Sequence, residues 1–162
     1  MQFLENNQIE EWCSERHVPL PLSEAEGTVV STRFFGQAVA PRGQEGTVAA
    51  AVFAELGVWD ECLLWIREWS IWPSSEDWPA YYAERGVHGE RRSLRVAPGH
   101  LALSEDRDAL TSFLRITLEN AWEAYVIPVV ASLSTGRWAH ASHDEFVEVL
   151  VEPQGRHSAN RG

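Results

Sequence analysis

Cys62-Leu63-Leu64-Trp65-Ile66 is apolar at five consecutive positions. Successive side chains of a strand point to opposite faces, so a strand of this composition has to be covered on both. The run is far too short to cross a bilayer. It predicts a central strand over Cys62–Ile71. The second half, Arg67-Glu68-Trp69-Ser70-Ile71, turns one face polar as the strand leaves the core.

Helical layers to cover that strand are legible. Asn7 as N-cap, with Glu10 three positions on, predicts a helix over Gln8–His17, stopped by Pro19 and Pro21. Val48, Val52, Phe53 and Leu56 predict a helix over Glu45–Leu56, ended by Gly57. Asp77 as N-cap and Pro79 in the first turn predict a short helix ended by Gly86. Ser104 is placed to cap a helix over Glu105–Trp122.

Further strands are expected at Thr28–Phe35, Ser93–Val96, Ala124–Ala131 and Phe146–Glu152. Pro128 should push the third of these toward a sheet edge or a bulge. Turns are expected over Gln37–Gly43, Ala97–His100 and Ser132–Gly136. The implied class is α+β (mixed α/β), a mixed sheet of four to five strands with helices packed on it. A chain of 162 residues fits one domain, over 1–152, with a flexible polar tail over 153–162.

Eight tryptophans are many for this length and predict an aromatic-rich core. Cys13 and Cys62 are too few and too far apart for a disulfide scaffold, and read as small buried hydrophobes. The N-terminus lacks the basic and apolar regions of a signal peptide, so a cytoplasmic location is expected.

The formal net charge is −11, and every one of the 13 bases is arginine. Such a field disfavours nucleic acid and anionic membranes and favours encounter with basic proteins. The stretch Arg85–Leu103 reverses the sign, with Arg85, Arg91, Arg92 and Arg95 against Glu90 alone. That cluster is a candidate anion-binding site, and pairing with the chain's own acids is the competing reading.

No phosphate loop, nucleophile elbow, CxxC or HExxH occurs, and no cofactor or metal is expected. His140, His143 and Asp144 have the residue types of a metal site but sit in an apparent turn before a strand. The segment that draws attention is Trp69-Ser70-Ile71-Trp72-Pro73-Ser74-Ser75-Glu76-Asp77-Trp78. Indoles beside carboxylates suit a surface for a basic protein, and Trp69, Trp72, Ser74, Glu76, Asp77 and Trp78 are its candidate residues. The reading that follows is a non-enzymatic acidic binding protein, such as an immunity-type inhibitor of a basic bacterial toxin, for example a nuclease. Two alternatives stand beside it. One is a subunit or adaptor of a larger bacterial assembly. The other is a hydrolase using His100 or His143 with Glu76 or Asp144.

Overall fold

The computed structural model describes residues 1–22, 27–36 and 43–152. The expected tail over 153–162 lies outside these residues, as does most of the expected turn at Gln37–Gly43. In chain order the elements are β1 (Gln2–Leu4), α1 (Asn6–Glu15), β2 (Thr28–Phe34), α2 (Glu45–Leu56) and β3 (Glu61–Glu68). There follow α3 (Trp78–Val87), β4 (Gly99–Leu103), α4 (Arg107–Glu119), β5 (Glu123–Val130), β6 (Leu133–Ser134), β7 (Arg137–Ser142) and β8 (Phe146–Val151). Short 3₁₀ turns at Pro73–Ser75 and Ser104–Asp106 lead toward α3 and α4.

The α+β class holds, but the sheet is larger than expected. Among the described residues it has eight strands, in the order β1-β4-β3-β5-β7-β8-β2, with β6 paired to β5. All the pairings are antiparallel, so the sheet is not mixed.

Both faces of β3 are buried, as its composition requires. Cys62, Leu64 and Ile66 join a core with residues of α2, α4 and α3, while Leu63 and Trp65 join a second core with Ile9, Trp12 and Cys13 of α1. The result is three layers: α2, α3 and α4 on one side of the sheet, α1 on the other. Trp12, Trp59, Trp65, Trp122 and Trp138 are all buried.

Several boundaries moved for identifiable reasons. Helix α1 starts earlier than expected, because Glu5 and not Asn7 closes its capping box with Gln8. Strand β3 ends at Glu68 and not at Ile71, since Ser70 adopts a φ of 64° that breaks the extended backbone. Helix α3 runs through Gly86 to Val87, and the chain turns back at Gly89. Ser93–Val96 is not a strand: the amides of Val96 and Ala97 both bond the Ser93 carbonyl in a helical turn. The expected turn at Ala97–His100 gives way at Gly99 to β4, an interior strand.

Pro128 lies inside the sheet, not at its edge. On one side it faces Cys62 of β3. On the other, β7 pairs with β5 only at Ala124–Val126 and β6 only at Val129 and Val130. The missing amide thus falls where β5 has no ladder partner to lose. Strands β1, β6 and β7 were not expected, and β6 falls within the expected turn at Ser132–Gly136. Strand β1 is only three residues long, and the middle of β7, Ala139-His140-Ala141, lacks strand-type side chains, leaving Trp138 as its one strand-favouring residue.

Gly99 is a point of close approach between α1 and the sheet. A Cβ there would meet Ile9 Cδ1 at 2.8 Å and Leu4 Cβ at 3.1 Å. Gly99→Ala should therefore lift α1 and cost about 1–3 kcal/mol, the usual range for overpacking. A lower urea midpoint with an unchanged slope is the expected result.

Candidate functional site

The loop between β3 and α3 lies at one end of the sheet and carries the tryptophan-rich segment. Its residues play three different roles. Trp69 and Trp78 are half-buried and pack against the core on the α2–α4 side. Trp78 also stacks on Tyr82 and tilts against Trp122 at a centroid distance of 4.9 Å. Trp72 is different: it is 53% exposed, and its indole N–H donates to the His143 carbonyl at 3.3 Å.

The two acids of this segment are used internally. Glu76 Oε1 accepts the Trp122 indole N–H at 2.6 Å, and Oε2 accepts that of Trp78 at 3.0 Å. The Ser70 amide donates to the same carboxylate. Asp77 caps α3 by accepting from the Ala80 amide at 3.0 Å, and its own amide donates to Asn120 Oδ1 at 2.6 Å. Of the six residues singled out from the sequence, Trp72 and Ser74 are the two that line the cleft described next.

A cleft of about 680 Å³ opens beside Trp72. Trp72 and Phe35 supply apolar wall, and Glu45, Glu119, Asp144 and Glu145 supply carboxylates. No arginine is among its described lining residues. Arg115 reaches Glu119 at 2.5 Å from one turn back along α4 and offsets one of the four charges. Glu45, Glu119 and Glu145 escaped the sequence reading. They come from α2, α4 and the β7–β8 turn, and no spacing along the chain announces their convergence. Glu145 folds against Gly36, where a Cβ would sit 1.6 Å from its Oε2, so the backbone makes room for this carboxylate.

The four arginines of the candidate anion site are differently placed. Arg85 is fully buried on α3. It donates to the Tyr81 hydroxyl at 2.7 Å and to the carbonyls of Ala97 and Arg92, both at 3.1 Å. Arg92 is tied to Glu90 at 2.6 Å, to Glu5 at 3.2 Å and to the Phe3 carbonyl at 2.9 Å. Arg91 and Arg95 are exposed.

His100 lies in the same interior network. Its Nε2 meets the Tyr81 hydroxyl at 3.0 Å and its Nδ1 the Pro98 carbonyl at 3.2 Å. A neutral ring protonated on Nδ1 satisfies both contacts, given that Tyr81 already accepts from Arg85. Burial and then the nearby Arg85 charge push His100 down to about 3. Both thiols are free and buried, and burial pushes Cys13 up to about 12 and Cys62 upward as well. Neither is an activated nucleophile.

His143 sits at the rim of the cleft, with Nδ1 3.2 Å from Glu123 Oε2 and Nε2 3.9 Å from Asp144 Oδ1. His140 is buried in β7, stacked on Tyr125 with Nε2 3.7 Å from Glu123 Oε1.

No family model matches the chain, and no curated protein or solved structure is significantly similar to it. The site therefore has to be interpreted from its own chemistry.

Two outcomes test this geometry. Glu76→Ala strands the buried Trp122 indole N–H and should cost about 1–3 kcal/mol. Glu76→Gln, which keeps an acceptor oxygen, should cost less in the same denaturation assay. The depressed His100 fixes the sign of a pH effect. The unfolded ring takes up a proton below its ordinary value of 6.5, while the folded ring stays neutral to about 3. Its contribution is therefore intact above pH 6.5 and lost progressively as the pH falls below it. His100→Gln should flatten the stability profile over that window relative to the parent.

Proposed function

We propose that the chain is a non-enzymatic binding protein that takes a basic protein partner at its acidic cleft, in the manner of an immunity-type inhibitor of a basic bacterial toxin such as a nuclease. The observation that carries this reading is the cleft itself. Four carboxylates from three separate elements, α2, α4 and the β7–β8 turn, converge on it, beside a half-exposed indole, with no arginine among the described lining residues. Opposed charge speeds encounter and rejects acidic partners. A large aromatic at the edge of such a patch can bury area on a partner at low entropic cost, which is how interface anchors work. The net charge of −11 argues against nucleic acid as the ligand.

A subunit or adaptor role in a larger bacterial assembly is the second reading. Val29, Val30 and Phe34 on the edge strand β2 are exposed and favour it. The hydrolase alternative rests on His143 and Asp144 alone, because His100 and Glu76 are engaged in the interior.

The test is titration calorimetry against the basic protein encoded by an adjacent gene. The expected result is a one-to-one complex that weakens steeply with salt. Trp72→Ala should weaken it by roughly thirtyfold, the loss of an anchor worth about 2 kcal/mol. Asp144→Lys should weaken it by at least about tenfold through charge reversal. Asp108→Asn, on α4 outside the cleft lining, should leave it unchanged. A salt-resistant oligomer of the chain alone would favour the assembly reading. Absence of binding, or binding indifferent to salt and to both cleft substitutions, overturns the inhibitor reading.

A further inference from the structure

Beside the cleft, three side chains from three elements meet at the end of the sheet. Glu68 ends β3, Glu123 begins β5, and His143 lies in the turn between β7 and β8. Each offers one ligand atom, and these atoms all lie within 4.8 Å of one another. We propose that Glu68, Glu123 and His143 form a binding site for one divalent transition-metal cation, Zn²⁺ by preference.

The distances come close to those that a cation imposes. Zinc bonds to nitrogen and oxygen of about 2.0–2.2 Å put neighbouring tetrahedral ligands roughly 3.4 Å apart. His143 Nδ1 and Glu123 Oε2 are already 3.2 Å apart. Glu68 has to close by no more than roughly 1.4 Å, and it is exposed, with no hydrogen-bonding or ion-pairing side chain on it among the described residues. Its exposed side leaves room for water to complete the coordination.

A second observation concerns the sheet register. A register irregularity between Ile66 and Glu68 brings Glu68 directly opposite Glu123 on the neighbouring strand. Like charges at facing positions destabilise a sheet. No arginine among the described residues pairs with either, and the groups on Glu123 are the two histidines. A cation bridging the two carboxylates removes that repulsion.

The outer groups are of the residue types that orient metal ligands, at ion-pair and not hydrogen-bond distance. His143 turns its other nitrogen toward Asp144 at 3.9 Å, and the second oxygen of Glu123 faces His140 at 3.7 Å. The donor set also selects the ion. Two carboxylates alone suit Mg²⁺, Ca²⁺ or Mn²⁺, whereas an imidazole among them shifts preference to Zn²⁺ and its neighbours. The sequence suggested His140, His143 and Asp144 as possible ligands, and of these His143 alone enters the set. Both carboxylates come from positions distant in the chain.

This site does not depend on the proposed partner, and its test uses none. The full chain, stripped of metal, is titrated with Zn²⁺ near neutral pH by calorimetry. One equivalent should bind with micromolar affinity, undisturbed by millimolar Mg²⁺ or Ca²⁺. Glu68→Gln, Glu123→Gln and His143→Asn should each weaken binding by roughly tenfold or more, and Asp108→Asn should leave it intact. Circular dichroism checks the fold of each variant. Glu68→Gln changes an exposed side chain that has no partner among the described residues, so it reports even where the others misfold. No saturable binding at millimolar Zn²⁺, or one-equivalent binding that survives Glu68→Gln, overturns the proposal.

Discussion

Leu63 and Trp65 leave β3 in one direction, Cys62, Leu64 and Ile66 in the other, and water reaches none of them to any extent. That two-sided burial organises the molecule. Strands β4 and β5 must flank β3 to satisfy its backbone, and each face needs its own cover. Helices α2 and α4 pack together to supply one. The other falls to α1, which settles on the sheet where Gly99 offers no side chain to hold it off. Ile9 occupies the vacated space. Removal of either cover would expose half of the interior strands.

Antiparallel topology then decides where the acids gather. Strand β3 ends, β5 begins, β7 turns into β8 and α4 finishes, all at the same end of the sheet. A carboxylate at any of these points joins the others without further design. Local stability does not ask for all of them. Glu119 stands at the last turn of α4, where the helix dipole disfavours negative charge. Arg115 relieves that cost one turn earlier. Glu68 and Glu123 face each other across two strands. The acidic end thus holds charge that packing and helix capping leave unexplained, which is where binding is to be sought.

How much of this the chain discloses in advance depends on the kind of signal. Helix α2 was legible to the residue, because Val48, Val52, Phe53 and Leu56 keep one period and Gly57 stops it. The Asp77 cap of α3 was legible for the same local reasons. Strand β4 was not, because Pro98 and Gly99 resemble a turn until Gly99 is seen to be the price of contact with Ile9. The tryptophan-rich segment was legible as a unit, yet its chemistry was not. Glu76 looks like a surface acid in the sequence and proves to be the shared acceptor of two indoles. Glu45, Glu68, Glu119, Glu123 and Glu145 are joined only by tertiary structure, which one-dimensional spacing does not encode.

Arg85 bears on an oddity of composition. A guanidinium is a flat fork whose donors lie in one plane, and here it touches a phenol and two backbone carbonyls at once, between aromatic rings. An ammonium in the same enclosure has a single tip and would leave some of those acceptors deserted. The chain contains no lysine anywhere, and codon usage alone would account for that at most positions. At this one, the choice of cation is dictated by shape.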